Sequence, residues 1–148
     1  MHRKQDNGPR VNFKKKKVKL DGFEGMPHYA DLILDRMKTV DPDRLGNYRI
    51  FELCNLEYIP DRGSSIHFHT DDTWIWGERL ISLNLLSGSV MTLIQEEEKL
   101  ALFIPMPRRS LLCMAGHIRY HWKHGILPSH IKGQVHVISN TATLSLHY

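Results

Sequence analysis

A chain of 148 residues with 41% hydrophobic and 24% charged side chains is long enough to bury a real core and short enough for one globular domain, which excludes disorder throughout. Its 20 Lys and Arg against 16 Asp and Glu leave a net charge of +4, a modest excess in which the bases are unevenly placed. The chain has no run of eighteen apolar residues and no signal-type apolar segment after its basic start, so a soluble cytosolic or nuclear protein with no membrane partner is expected.

From the N-terminus, "RKQDNGPRVNFKKKKVKL" sets Lys14 to Lys17 in a row, with Arg3, Lys4, Arg10 and Lys19 around them. Such an arm attracts nucleic acid or an acidic protein face; the plainer alternative is a solvated, partly disordered terminus. Next, "MPHYADLILDRMKTV" predicts a helix, with Pro27 suited to the first turn and Tyr29, Leu32, Ile33 and Met37 recurring at helical spacing. "DPDRLGN" stops it. From Tyr48 onward short strands alternate with turns: "YRIFELCNLEYI", "ERLISLNLL", "VMTLIQ", "LALFIPM", "SLLCMA", "IRYHWKH", "VHVIS" and "TLSLHY". That density in one domain predicts a mainly β (α+β) barrel or jelly roll with one flanking helix. Cys54 and Cys113 each lie in an apolar run without a second cysteine nearby, so buried free thiols in a reducing compartment are expected.

The stretch "SSIHFHTDDTWIWGERL" carries the chemistry. If residues 64 to 71 run on as an extended strand, His67, His69 and Asp71 share one face, because side chains alternate with a period of two. A later histidine on a neighbouring strand, His121 or His124 of "RYHWKHGI", could add a third ligand. Two histidines and a carboxylate on one face of a metal, with the other face open, suit a non-haem Fe(II) oxygenase; catalytic zinc takes a similar set. A bare H-x-D also arises often by chance. Asp72 reads as a turn residue. Trp74, Trp76 and Trp122 read as core fillers before stacking platforms. Asn84 and Arg79 read as structural, supporting or substrate-side residues, Asn84 fitting a strand core only if its amide is satisfied.

Three segments, "RKQDNGPRVNFKKKKVKLDGF", "NLEYIPDRGSSIHFHTDDTWIWGERLISLNLLSGSVMTL" and "IPMPRRSLLCMAGHIRYHWKHGI", together resemble the AlkB family of Fe(II)- and 2-oxoglutarate-dependent dioxygenases, most closely its homologue 4 branch. The resemblance covers nearly all of residues 3 to 131 and implies a double-stranded β-helix (jelly roll), incomplete here. Residues 1–25 would be the basic substrate lid or arm. Residues 26–148 would be the dioxygenase-like domain, with 133–148 diverging. The family's metal ligands match His69, Asp71 and His124, leaving His67 as a neighbour and His121 one residue out of strand parity. A family tyrosine that hydrogen-bonds 2-oxoglutarate matches Tyr58, and Asn55 lies one position from the corresponding asparagine.

The activity so implied is oxidative demethylation, in which 2-oxoglutarate is decarboxylated to succinate and an N-methyl group is hydroxylated and leaves as formaldehyde. For the homologue 4 branch the implied substrates are methylated lysine of an actin-like protein or N6-methyladenine in DNA. Two features depart from the pattern. The chain opens at the lid, without the cysteine-rich start of the branch. The paired arginines that clamp 2-oxoglutarate would fall at Val135 and Thr141, and "KGQVHVISNTATLSLHY" contains no arginine, Lys132 being the nearby cation. An alternative exon or shifted reading frame would explain so abrupt a change. A shortened form that binds partners without turnover is therefore the alternative to an active enzyme.

Overall fold

A computed structural model describes residues 3–59 and 62–128. Its contacts group into two units, one formed by residues up to 57 and one from residue 58 onward. The expected strands "VHVIS" and "TLSLHY" lie outside the described residues, as do Lys132, Val135 and Thr141.

In the first unit, β1 (Arg3–Asn7) pairs antiparallel with β4 (Leu53–Glu57), in a register that sets Asp6 opposite Cys54 and Gln5 opposite Asn55. Between them in sequence, β2 (Arg10–Asn12) and β3 (Lys17–Lys19) form a hairpin. Its turn is fixed by the Asn12 side chain, whose Oδ1 accepts from the Lys15 amide at 2.9 Å, and by Lys16 at φ 48°. The basic arm is thus built from strands rather than being a loose terminus.

The predicted helix appears as α1 (Tyr29–Val40), followed by α2 (Pro42–Leu45), for which Asp41 is the N-cap, accepting from the Arg44 amide at 3.1 Å. Pro27 precedes α1 and is not in its first turn; its carbonyl accepts from the Ala30 amide. The buried stripe also differs from the expected one. Ala30 and Met37 are buried, whereas Leu32 is 62% exposed and Tyr29 39% exposed. Ala30, Leu34 and Met37 follow the same helical period displaced around the axis, a shift that apolar spacing alone does not resolve.

The second unit is a β-sandwich of jelly-roll type, with no closed barrel among the described residues. One sheet has the order β5 (Ile66–His69), β10 (Lys123–Ile126), β7 (Ser89–Gln95), β8 (Leu100–Met106), all antiparallel. The other pairs β6 (Leu80–Asn84) with β9 (Ser110–Met114). Inner-face residues of both sheets meet in one core of Met91, Leu93, Met106, Met114 and Trp122, with Leu80, Leu102, Ile104, Leu112 and Ile126 packed against it. Pro105 is tolerated because β8 is an edge strand. Asn84 ends β6 with a satisfied amide, its Nδ2 donating to the carbonyls of Ser87, Met106 and Pro107.

Two expectations need correction. "IRYHWKH" is not one strand: residues 116–121 form a short helix, α3 (Gly116–His121), and only then does β10 begin. Gly116, at φ 57°, starts that helix by donating its amide to Glu78 Oε1 at 2.6 Å, a partner 38 residues away. The alternation I-R-Y-H-W misleads because Ile118 and Trp122 are also one helical turn apart. Nor are both cysteines buried: Cys54 is exposed and Cys113 half-buried, both as free thiols.

Candidate metal centre

His69 closes β5 and His124 lies on β10, and the two are direct cross-strand partners. Opposed residues of an antiparallel pair project to the same face. Their ring centroids are 4.4 Å apart. The pairing slips just beyond them, since Ile126 faces Ile66 rather than His67, so β5 carries a bulge. Gly125 lies against that bulge. A Cβ there would sit 2.8 Å from the Ile66 carbonyl oxygen and 3.1 Å from Phe68 Cδ1, so only glycine lets the two strands approach.

The strand does not continue through Asp71 as the parity argument assumed. β5 stops at His69, and Asp71 opens the loop to β6. Its carboxylate nevertheless turns back between the imidazoles, with Oδ1 3.6 Å from His69 Nε2 and Oδ2 3.4 Å from His124 Nε2. One ligand atom from each of the three residues lies within 4.8 Å of the others, a spacing at which a single metal ion could take all three.

The ring nitrogens are already sorted for such a role. His69 Nδ1 lies 2.7 Å from the His67 carbonyl oxygen, so the Nδ1–H donates there and Nε2 is the ring nitrogen that faces Asp71. The neighbour His67 thus contributes its carbonyl, while its side chain is exposed. The charge states differ among the three residues. Burial holds His124 below the ordinary histidine range, keeping it neutral. Burial pulls Asp71 upward, but the hydrogen bond with His69 and the fields of His124, His69 and Arg119 outweigh it, so the carboxyl stays ionised below its usual range. His69 is raised, first by its hydrogen bond to Asp71, against the opposing effect of burial.

His121 ends α3 and stacks on His117, one helical turn back, with centroids 4.6 Å apart. Asn55 lies in the first unit, where its amide donates to Tyr29 Oη at 2.8 Å and faces Gln5 at 3.5 Å. Tyr58 is half-buried at the start of the second unit. Trp122 fills the core as expected, and Trp74 and Trp76 are half-buried in the loop after Asp71. Asp72 is a turn residue whose carbonyl accepts from the Trp76 amide. Sequence reasoning missed Arg119, which reaches this same loop from α3. Its neighbourhood, "HIRYHWKH", is rich in other basic and histidine side chains, so nothing in the sequence sets it apart.

No family model matches the chain. Individual proteins do. Over 89% of its length the chain is 58% identical to a DNA N6-methyl adenine demethylase of Caenorhabditis elegans. Over the same share it is 38% identical to the human alpha-ketoglutarate-dependent dioxygenase alkB homolog 4. These relatives support a place in the AlkB family. It spans about half the length of the curated relatives it matches, 45% of the nematode protein and 53% of the human one. The sandwich described above carries His69 and His124 on neighbouring strands, with Asp71 just beyond the end of β5, which is why residues so far apart in sequence meet.

Proposed function

We propose that the chain is an Fe(II)- and 2-oxoglutarate-dependent oxidative demethylase of N-methyl groups, with His69, Asp71 and His124 as the iron ligands and N6-methyladenine in DNA as the substrate. The observation that carries this reading is the convergence of two imidazoles and one carboxylate on a cross-strand pair. Nitrogen and oxygen donors in this ratio suit non-haem iron with open positions. The name of the nematode relative supports the substrate, and the Lys-rich hairpin of β2 and β3 suits a phosphate backbone. Methylated lysine of an actin-like protein, the other acidic target, is the competing substrate.

Iron and 2-oxoglutarate, when bound, supply the oxidising power for hydroxylating the methyl carbon. The chain's own residues hold and orient. Ionised Asp71 neutralises part of the metal's charge and neutral His124 donates without first losing a proton. The His67 carbonyl holds His69 in the tautomer that presents Nε2. Tyr58, by its match to the family tyrosine, would donate to the keto acid.

A second reading rests on the sequence after Ile131, which has no arginine. Without a guanidinium partner for its distal carboxylate, 2-oxoglutarate would bind weakly, and the chain would act as a binding or regulatory module. Release of succinate and of unmethylated adenine from an N6-methyladenine oligonucleotide separates the two. Turnover dependent on both Fe(II) and 2-oxoglutarate establishes the enzyme. DNA binding with neither product establishes the module, and turnover on methyl-lysine peptide alone moves the substrate to protein.

A further inference from the structure

Arg119 is 2% exposed, the most deeply buried charged side chain among the described residues. Its guanidinium makes four hydrogen bonds to neutral backbone carbonyls. Nε donates to the Gly77 carbonyl at 3.2 Å and Nη1 to Asp71 at 3.0 Å, while Nη2 donates to Asp72 at 3.1 Å and Trp76 at 3.3 Å. Residues 71–77 have no strand or helix of their own, and Arg119 supplies a donor to four of their carbonyls. The planar fork reaches both ends of the loop at once, and the Trp76 amide to Asp72 carbonyl bond closes the turn between them. One of the four acceptors is the carbonyl of Asp71 itself.

We propose that Arg119 is the positioning residue of the metal centre: its fork fixes the backbone of residues 71–77 and thereby presents the Asp71 carboxylate to the two histidines. The inference rests on the metal reading above. Asp71 lies beyond the end of β5, so no ladder bond sets its direction, whereas His69 and His124 are held by strand pairing. A carboxylate on an unsupported loop would lose conformational entropy on metal binding, and Arg119 removes that cost in advance. The guanidinium also lies close enough for its field to help keep Asp71 ionised. That field opposes a bound cation as well, so the two contributions of Arg119 are separable. Lysine keeps a charge but loses the planar fork.

The test uses the full chain and Co(II) as the metal probe, followed by its visible d–d absorption, which reports the ligand set. Wild type should bind one Co(II). Arg119→Lys should bind roughly 10–100-fold more weakly, the size of loss typical when a ligand's support is removed. Its spectrum should move toward that of Asp71→Ala. In Arg119→Ala, added guanidinium ion should restore the wild-type spectrum. Equal affinity and an unchanged spectrum in Arg119→Lys would overturn the role of Arg119 while leaving the metal reading intact. Absence of stoichiometric Co(II) binding by wild type would overturn both. Should the variants fail to fold, amide hydrogen exchange on metal-free wild type decides: slow exchange of the Trp76 amide shows the loop preformed, and protection gained only with Co(II) overturns the proposal.

Discussion

Asp71 lies between two imidazoles whose charge states differ, and that difference sets how the site should respond to pH. Its hydrogen bond raises His69 above the ordinary histidine value, so in the metal-free chain a proton sits on His69 at pH values where a free histidine has lost it. A metal must displace that proton. Affinity for Fe(II) under anaerobic conditions should therefore climb as pH rises through the raised His69 value and flatten above it. Stability of the metal-free chain should run the other way. The charged His69–Asp71 pair is present at low pH and is lost as pH rises through the folded-state value. Parallel slopes in the two titrations would refute this assignment. Asp71→Ala should cost more than the roughly 10–100-fold expected for a missing supporting hydrogen bond, because two imidazoles alone cannot hold a metal facially. At Cys54 an exposed position and reactivity part company. Burial of the sulfur, with the hydrogen bond and charge of the cross-strand Asp6, pushes the thiol up to about 12. Alkylation at neutral pH should be slow, and Asp6→Asn should hasten it.

At the scale of elements, what the sequence revealed depended on where each interaction comes from. The H-x-D was legible because its two residues are neighbours in sequence, and the strands β6 to β9 because alternation and turn residues are local signals. Helix α3 was not, since its start depends on Glu78 and its buried Arg119 on carbonyls 42 to 48 residues earlier. The bulge in β5 was equally hidden, because it is a relation between two strands. Yet it places the site. Gly125→Ala would drive a methyl into the Ile66 carbonyl, in a central strand flanked by β5 and β7 that has little room to shift. A cost of about 1–3 kcal/mol is expected, with weaker metal binding because the displaced strand carries His69. Thermal melts with and without metal measure both; an unchanged melting temperature would show that β5 can give way. On the β2–β3 hairpin, Lys14 to Lys17 cluster at the turn beside Phe13, which is 50% exposed. Changing the four lysines to glutamine should weaken DNA binding and flatten its dependence on salt, by up to about 0.9 in slope for each phosphate no longer neutralised. An unaltered slope would leave the hairpin without a part in binding.

For the whole chain, the question is whether metal binding is matched by keto-acid binding. Of the 148 residues, the triad and the sandwich that presents it fall within the stretch shared with the AlkB relatives. By the resemblance, the arginine positions of the family pattern would fall at Val135 and Thr141, outside the described residues. A carboxylate in a partly buried pocket that loses its guanidinium partner costs about 2–5 kcal/mol, or roughly thirtyfold to several-thousandfold in affinity. The chain should therefore bind Fe(II) normally but require far more 2-oxoglutarate than an intact relative before succinate appears. Restoring the pair by Val135→Arg and Thr141→Arg should lower the half-saturating concentration by a comparable factor and leave metal affinity unchanged. Saturation of the unaltered chain at micromolar 2-oxoglutarate would refute this and point to Lys132 as the cation that holds the distal carboxylate. If neither form saturates while both bind metal, the keto-acid site needs residues of the relatives that this chain does not share.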